Sequence, residues 1–542
     1  MKSILSNIQS SLFDFPKIET REKFWMSFLF FLMFILMSLS AWHKNLSYDE
    51  PHNLRYGYDV LTKGPLVETD GQRMPVFVLN ALACKKMGCL DLENSPWTRF
   101  WVRFPTLVFT LALGLLIWHW TRKMFGPKAA MGASFLFVFN PTLLAHGKQV
   151  TSDVVTTFFV VLAVYFLWSW RHDRRARFFY ACAVATGFAI VSKYSSVLLF
   201  VILPLIVVLE AVIRRSVRLS LKGLGVIILR SAAFAIIVWF VINAAYLFQG
   251  SFENIRSQAW QSRFYQMISK KTDFLVPLPR IFVRGLDYSH FISEHPELGR
   301  GNNYIFGHRH RKGRDYAVPA MILLKSPLAF FVLLITALVA SIRKKDPMMG
   351  LSISELYLWL PFAVWLLFFS SFCDIQVGIR YVLPGYVFLI IYVGKAFNDI
   401  KTRRKAAVMG ATLFWYVFST LSYHPHYMSY FNEIVGDRIN AYKYLADSNL
   451  DWEDKSYYIH QWEKNHPNIH AQSAFDALFS PKPGFYLLSA NSYVGVFDEA
   501  ELEWVREFKP LAQVTYSHLL VYAAPQEFAA ARLKHPQPKA EK

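Results

Sequence analysis

Tyr48-Asp49-Glu50-Pro51 follows directly on the first long apolar run, Phe24–Trp42, at what reads as the start of a short amphipathic helix. Two adjacent carboxylates at a membrane surface are costly to desolvate, so they call for a reason to be there. Abstracting a proton from an acceptor hydroxyl is chemistry that such a pair can do. Other ionisable side chains sit at matching places beside apolar runs. Asp153 opens one after His146-Gly147-Lys148-Gln149, and Lys193 ends one in Val191-Ser192-Lys193-Tyr194. Arg380 opens another in Gly378-Ile379-Arg380-Tyr381-Val382-Leu383-Pro384. Lys325 lies inside a run, in Leu324-Lys325-Ser326-Pro327, and is expected to face a partner or a wet cavity. Carboxylates and cations from distant parts of the chain thus converge on one membrane level.

Each of these residues has a plainer reading that the sequence leaves open. Ser47 and Glu50 match a capping box, and Asp49 before Pro51 suits a helix start. Asp153 fits a first-turn acid, and Lys193 and Arg380 fit basic side chains that snorkel to headgroups from the ends of spans.

The elements that position these residues follow from hydropathy and charge. Of 542 residues, 54% are hydrophobic and only 18% charged, which excludes an ordinary soluble protein of this length. Eleven crossings are expected, near 24–42, 103–121, 127–141, 151–170, 177–192, 195–213, 226–248, 318–342, 353–372, 381–397 and 406–423. Alternate connections carry basic clusters: Arg122, Lys123 and Lys128; Arg171, Arg174, Arg175 and Arg177; Arg214, Arg215, Arg218 and Lys222; Arg343, Lys344 and Lys345; Lys401, Arg403, Arg404 and Lys405. With Lys17, Arg21 and Lys23 they all fall on one face, which the positive-inside rule assigns to the cytoplasm. The +20 net charge is therefore read as topology, and no nucleic-acid partner is expected. The first apolar run is long and lacks a small-residue cleavage site, so it is expected to anchor rather than to be removed.

The predicted organisation is a cytoplasmic N-terminus (1–23), a membrane domain (24–423) with outer loops 43–102 and 249–317, and an outer C-terminal domain (424–542). The fold class is mainly α, a polytopic membrane protein with a small C-terminal α/β domain, in which Gly484–Ser489 and Val514–Ala523 read as strands. Cys84 and Cys89 share the first outer loop, as a disulfide or a free pair. The 249–317 loop holds eleven Lys or Arg against six Asp or Glu, including Gly307-His308-Arg309-His310-Arg311-Lys312-Gly313-Arg314. It suits an anionic headgroup through bidentate Arg contacts, or anionic lipid in general. His308 and His310 alternate as in a strand, with no third ligand at metal spacing.

The ordered motifs resemble those of polyprenyl-phosphate-sugar-dependent glycosyltransferases of the GT-C superfamily, in particular protein O-mannosyltransferase-like bacterial members. The matching pieces are Tyr48-Asp49-Glu50-Pro51-His52, Asn140-Pro141-Thr142-Leu143-Leu144-Ala145-His146 with Thr151-Ser152-Asp153, and Lys193. They continue with Tyr304-Ile305-Phe306-Gly307, Leu323-Leu324-Lys325-Ser326-Pro327-Leu328 and Arg380-Tyr381-Val382-Leu383-Pro384. Tyr430-Phe431-Asn432-Glu433 and Asp447-Ser448-Asn449-Leu450-Asp451-Trp452 close the series. The sequence departs from the pattern at Glu453-Asp454, where relatives often have Gly-Gln, and at Gly436-Asp437, where Gly-Gly is common. The resemblance implies Asp49 as catalytic base, Glu50 as its support, and a sugar on a long isoprenoid monophosphate, commonly undecaprenyl phosphate, as donor. It suggests mannose, with other hexoses or pentoses open. With no KDEL-type address or obvious eukaryotic feature in the sequence, a bacterial inner membrane is expected.

The residue types suit that chemistry independently. A carboxylate takes the acceptor proton, while Lys193, Arg380 and Lys325 receive the charge that grows on the departing lipid phosphate. One base acting opposite the leaving group predicts inversion at the anomeric carbon. A divalent cation between Asp49 and Asp153 is compatible but not required. The acceptor is an exported protein, a lipid or a glycan. The rival readings are a transporter or flippase for a lipid-linked or anionic solute, and a lipid phosphotransferase. The first usually shows two similar halves, which this sequence lacks.

Overall fold

The computed structural model describes residues 19–64, 75–87, 95–215, 221–295, 303–343, 352–376, 378–496 and 500–535. Lys17, Arg218, Lys344, Lys345, Cys89 and the tail beyond 535 lie outside them. Among the described residues, seven helices are long and apolar enough to cross a membrane: Thr20–Trp42, Pro96–Phe125, Asp153–Asp173, Tyr194–Ile213, Leu221–Ala245, Ile353–Ser371 and Ile379–Asp399. Three further expected crossings fall on the shorter or less apolar helices Pro127–Val138, Ala176–Ser192 and Arg403–Leu421. The chain is a multi-pass membrane protein.

The expected continuous span 318–342 is instead two helices, Ala317–Lys325 and Leu328–Arg343, bent by 104°. Ser326-Pro327 supplies the break. Proline has no amide to continue the ladder, and it drives the residue before it out of the helical region, here to φ −105°, ψ 138° at Ser326. Asn432 holds the opened backbone. Its Nδ2 donates to the carbonyls of Leu323 (2.6 Å) and Ser326 (2.8 Å), and its own amide donates to that of Leu324 (2.9 Å).

Most helices pack around a large apolar core, which runs from Met33 and Met37 through Trp118, Trp120 and Tyr165 to Tyr386 and Tyr416, and a second, smaller cluster joins Leu54 and Phe77 to Ile190, Ile242 and Phe282. At one end of the bundle the basic clusters are partly neutralised. Arg122 Nε meets Glu22 at 2.8 Å and Arg171 Nε meets Glu210 at 2.8 Å; outside those clusters, Lys395 pairs with Glu355. At the other end lie helices Asp49–Lys63 and Phe77–Met87, the turn 147–152 and the residues after Leu421. Cys84 in the second of these helices is disulfide-bonded.

Beyond Leu421 short 3-10 turns lead to a four-stranded sheet. Gly484–Ser489 pairs parallel with Ala471–Gln472 and antiparallel with His518–Ala523, which in turn pairs with Ala512–Val514. The expected strand Val514–Ala523 is thus a hairpin, turned at Thr515 and Tyr516 with φ of +57° and +61°. No Gly or Asn marks that turn, so a single strand was the natural reading. In the 249–317 region a short hairpin, Asn303–Ile305 with His308–His310, leans on the C-terminal part through Arg309 and Glu503 at 2.7 Å.

Candidate functional site

Asp49 and Glu50 begin the same helix and face different surroundings. Glu50 is fully buried. Arg103 grips it with both arms, Nε to Oε1 at 2.9 Å and Nη2 to Oε2 at 2.7 Å. The amides of Ser47 (2.7 Å) and Val150 (2.8 Å) complete its shell. Burial pushes this carboxyl up, but the Arg103 charge and these donors outweigh it and leave the group below its ordinary value. Half of the expected capping box is present: Glu50 takes the Ser47 amide, whereas the Ser47 hydroxyl finds no partner among the described residues. Glu50 has no free lone pair for a substrate proton. It locks the first loop to helix Pro96–Phe125 and to the turn before Asp153.

Asp49 is half-open, with 36% of its side chain exposed. Arg380 Nη1 donates to its Oδ2 at 2.9 Å and lies 3.9 Å from Asp153 Oδ2. Asp153 in turn accepts from Lys193 Nζ at 2.6 Å. Four of the residues singled out from the sequence therefore form one chain of alternating charge, Asp49–Arg380–Asp153–Lys193. Lys193 caps helix Ala176–Ser192 with an extended backbone (φ −161°), which turns its side chain towards Asp153 rather than out to headgroups. Asp153 is the first residue of its helix after Ser152.

Aromatic rings flank the cations. The guanidinium of Arg380 lies 4.0 Å from the Trp452 ring centroid and 5.3 Å from that of Tyr381, and Lys193 lies 4.5 Å from Tyr381. Such faces hold a cation without neutralising it, which leaves charge available to an incoming anion. The space between Asp49 and Asp153, a suggested cation position, is taken by the guanidinium of Arg380. Among the described residues no cluster of three His, Cys, Asp or Glu side chains is placed to hold a metal ion.

Lys325 departs from expectation. It ends the first half of the broken span, and its ammonium donates to the carbonyls of Met428 (2.7 Å) and Asn449 (2.5 Å) while lying 4.6 Å from the Phe431 ring centroid. Two of its three donors are thus spent on backbone carbonyls that tie the broken span to the segments around Met428 and Asn449.

Three roles were not visible in the sequence. Arg103 lies inside an apolar run, where only the structure pairs it with Glu50. Trp452 provides the ring against Arg380. The segment 447–452 ties the site together: Asn449 Oδ1 accepts from the Ile379 amide (3.0 Å), and the Trp452 carbonyl accepts from the Tyr48 amide (3.2 Å). Next to it, Lys148 is buried and makes no hydrogen bond among the described residues. Burial and the nearby Lys44 push its amine down to about 7.

Residues 95–239 match the family model described as dolichyl-phosphate-mannose-protein mannosyltransferase. The fold is also that of ArnT from Cupriavidus metallidurans in its apo state, with a TM-score of 0.50, 11% identity, and coverage of 94% of this chain and 99% of that one. The chain resembles the GT-C polyprenyl-phosphate-dependent glycosyltransferases. ArnT of the same organism bound to undecaprenyl phosphate gives a TM-score of 0.49 at 12% identity, over 92% of this chain and 97% of that one. The apo oligosaccharyltransferase of Archaeoglobus fulgidus gives 0.47 at 13% identity, over 89% of this chain and 60% of that one. No curated protein matches the sequence significantly. Within the GT-C-like fold, the matched family segment contains Arg103, the turn 146–152, Asp153 and Lys193.

Proposed function

We propose that this protein is an integral membrane glycosyltransferase, moving a sugar from a polyprenyl monophosphate to a hydroxyl acceptor on the extracytoplasmic face. The observation that carries the reading is the chain Asp49–Arg380–Asp153–Lys193, in which a half-exposed carboxylate shares a guanidinium with the buried Asp153–Lys193 ion pair. A lipid phosphate entering between Lys193 and Arg380 competes with Asp49 for the guanidinium. Binding the donor then frees the Asp49 carboxylate to accept the acceptor proton. The acceptor oxygen attacks the anomeric carbon, the glycosyl–phosphate C–O bond breaks, and the two cations take the charge of the leaving phosphate. A single displacement of this kind inverts the anomeric centre.

The reading includes eleven crossings with a cytoplasmic N-terminus, a membrane domain 24–423 and an extracytoplasmic domain 424–542, in a bacterial inner membrane. A mannose donor is the first to test, because the matched family model is described by that sugar. The acceptor is an exported protein, a lipid or a glycan.

The test uses the purified chain in native-like lipid with labelled polyprenyl-phosphate sugars and an extract of outer-face acceptors. Label moving from lipid to a stable acceptor, dependent on Asp49, supports the transferase. Movement of the headgroup across the bilayer without transfer supports the flippase instead.

A further inference from the structure

After helix Leu221–Ala245 the chain turns back along the helix instead of rising away from it. The Trp239 indole donates to the Pro277 carbonyl at 2.5 Å, and its ring centroid lies 6.2 Å from that of Phe252. Trp239 stands six residues before the end of the helix, about 9 Å back along its axis. The strands Glu253–Asn254 and Leu275–Val276, which pair with each other, therefore lie beside the last turns of a span. That is the depth at which a bilayer passes from acyl chains to headgroups.

The apolar side chains of this segment are exposed. On the span Ile236 and Phe240 face outward, as on a wall that meets lipid. Ring contacts carry that wall into the loop, from Phe240 to Phe248 at 5.9 Å, from Phe248 to Trp239 at 6.1 Å, and on to Phe252. Helix Arg263–Lys271, set between the two strands in sequence, has apolar residues on two faces. Tyr265 and Ile268, three apart, pack inward against the smaller apolar cluster. Phe264 and Met267, also three apart, point outward and are 43% and 48% exposed. Phe274 and Leu275 follow, equally open. An exposed apolar surface of this extent marks an interaction site.

Its charge selects the partner. Arg263, Lys270 and Lys271 are exposed and make no ion pair among the described residues. Arg256 is paired with Asp273 at 3.2 Å and closes the helix by donating to the carbonyls of Ser269 and Thr272. Phenylalanine and methionine on a helix edged by lysine suit an anionic bilayer surface, with the apolar groups at the acyl boundary and the ammonium groups at the phosphates. A soluble partner would not explain why the surface runs on from the wall of a span. A neutral lipid would leave the cations without a role.

The surface is presented ready-made. Asp287 accepts from the Ser262 amide (2.9 Å), the Ser262 hydroxyl (2.6 Å) and the Gln261 amide (2.8 Å), and Glu294 accepts from the Arg263 amide (2.8 Å). These bonds hold helix Arg263–Lys271 to helix Arg280–Glu294, which is seated in turn on Tyr194, whose hydroxyl donates to the Phe282 carbonyl at 3.1 Å. Little ordering cost is left for docking to meet.

We infer that residues 247–275 form a bilayer-docking surface whose partner is anionic phospholipid in the leaflet at the Asp49 end of the bundle. Phe264, Met267 and Leu275 enter the acyl boundary, and Lys270 and Lys271 meet lipid phosphates. The inference needs a multi-pass membrane protein and does not rest on the transferase reading.

The experiment places a nitroxide at Phe264→Cys or Met267→Cys in the full chain, with the free thiol of Cys373 removed as Cys373→Ser. Lys464→Cys, exposed on helix Ser456–Asn465, is the aqueous reference. Collisions with oxygen, which concentrates among acyl chains, and with a water-soluble nickel chelate are measured in nanodiscs. One set holds phosphatidylcholine alone and the other a mixture with phosphatidylglycerol. In the mixture both labels collide with oxygen and are shielded from nickel, whereas the Lys464→Cys label shows the reverse. Omitting phosphatidylglycerol, or combining Lys270→Gln with Lys271→Gln in the mixture, moves both labels towards water. Each lysine is expected to change the docked-to-undocked ratio by about fivefold. The two label sites report separately, so one that fails to fold leaves the other to decide. Labels as open to nickel as the reference overturn the docking surface. Labels shielded from both relaxants show a protein contact and overturn it too. Labels equally deep in both lipids and in the double variant overturn the anionic partner. None of these results bears on sugar transfer, which the labelled-donor assay tests by itself.

Discussion

Arg380 Nη1 lies 2.9 Å from Asp49 Oδ2, and this contact closes the charge chain at its exposed end. An arginine that holds the base in the resting protein and then turns to the donor phosphate would couple donor binding to base release. Asp49→Asn keeps the shape and a hydrogen-bond acceptor but removes the base. The variant should fold and insert as the native chain does, and lose transfer by about 10²- to 10⁴-fold, the usual contribution of a positioned base. Equal elution by size exclusion with no transfer of label is the expected result.

Lys193→Ala and Arg380→Ala act on the donor. Each should weaken binding of the lipid phosphate by at least about tenfold, in line with loss of one charge-assisted hydrogen bond. Full turnover of either variant at limiting donor would remove the phosphate from this place.

Glu50 and Asp49 are neighbours in sequence, yet their variants should fail differently. Glu50→Ala leaves Arg103 buried and unpaired, a loss of about 3–5 kcal/mol by the usual cost of breaking a buried pair. Its expected signature is low yield and a depressed melting temperature, with activity falling in proportion to folded protein. The pH dependence has the same origin. Because the folded state depresses this carboxyl, its stabilisation is full above the ordinary glutamate range and is lost as the pH falls through the folded value. Melting curves from pH 7 to pH 3 on the native and Glu50→Ala chains should converge in acid.

Lys325→Met separates tether from ligand. It leaves the Met428 and Asn449 carbonyls without their donor, which should cost about 1–3 kcal/mol of stability. Affinity for undecaprenyl phosphate in the folded fraction should not change. A selective loss of that affinity would restore Lys325 to the phosphate site.

Lys148 gives the opposite pH trend. Its amine is lowered to about 7 in the folded chain from an ordinary 10.5, so the unfolded chain binds the extra proton between these values. This group costs no stability at high pH, and its penalty grows as the pH falls from 10.5 to 7 and is constant below. Lys148→Met should raise the melting temperature at pH 7, and its advantage over the native chain should shrink by pH 10. Thermal melts at the two pH values decide this.

The sequence and the structure agree where a charged residue stands at the edge of an apolar run. Asp49, Asp153, Lys193 and Arg380 were each visible as charges at one membrane level, and the structure brings them within reach of one another. The break in the expected span 318–342 is not legible because hydropathy is continuous across it, while the break depends on a single Pro327 and on Asn432, more than a hundred residues away. Arg103 could not be found, since an arginine near the start of an apolar helix reads as a span end until its partner is known. The role of 447–452 was equally hidden: its bonds run through backbone amides and carbonyls, which carry no signature of side-chain type.

That six-residue stretch has a consequence for how the protein can vary. It lies outside the helical bundle, yet Lys325, Ile379 and Tyr48, from three separate membrane-bound segments, all hang on it. Gly378 accommodates it as well, since a Cβ there would come within 2.3 Å of the Ser448 hydroxyl. The C-terminal portion is therefore not an interchangeable module. A hybrid chain that joined this bundle to the outer portion of a distant relative would need a compatible 447–452 and a glycine at 378, or its base and its guanidinium would lose alignment together. Substitutions on the two sides of that seam should be non-additive, constraining each other across most of the length of the chain.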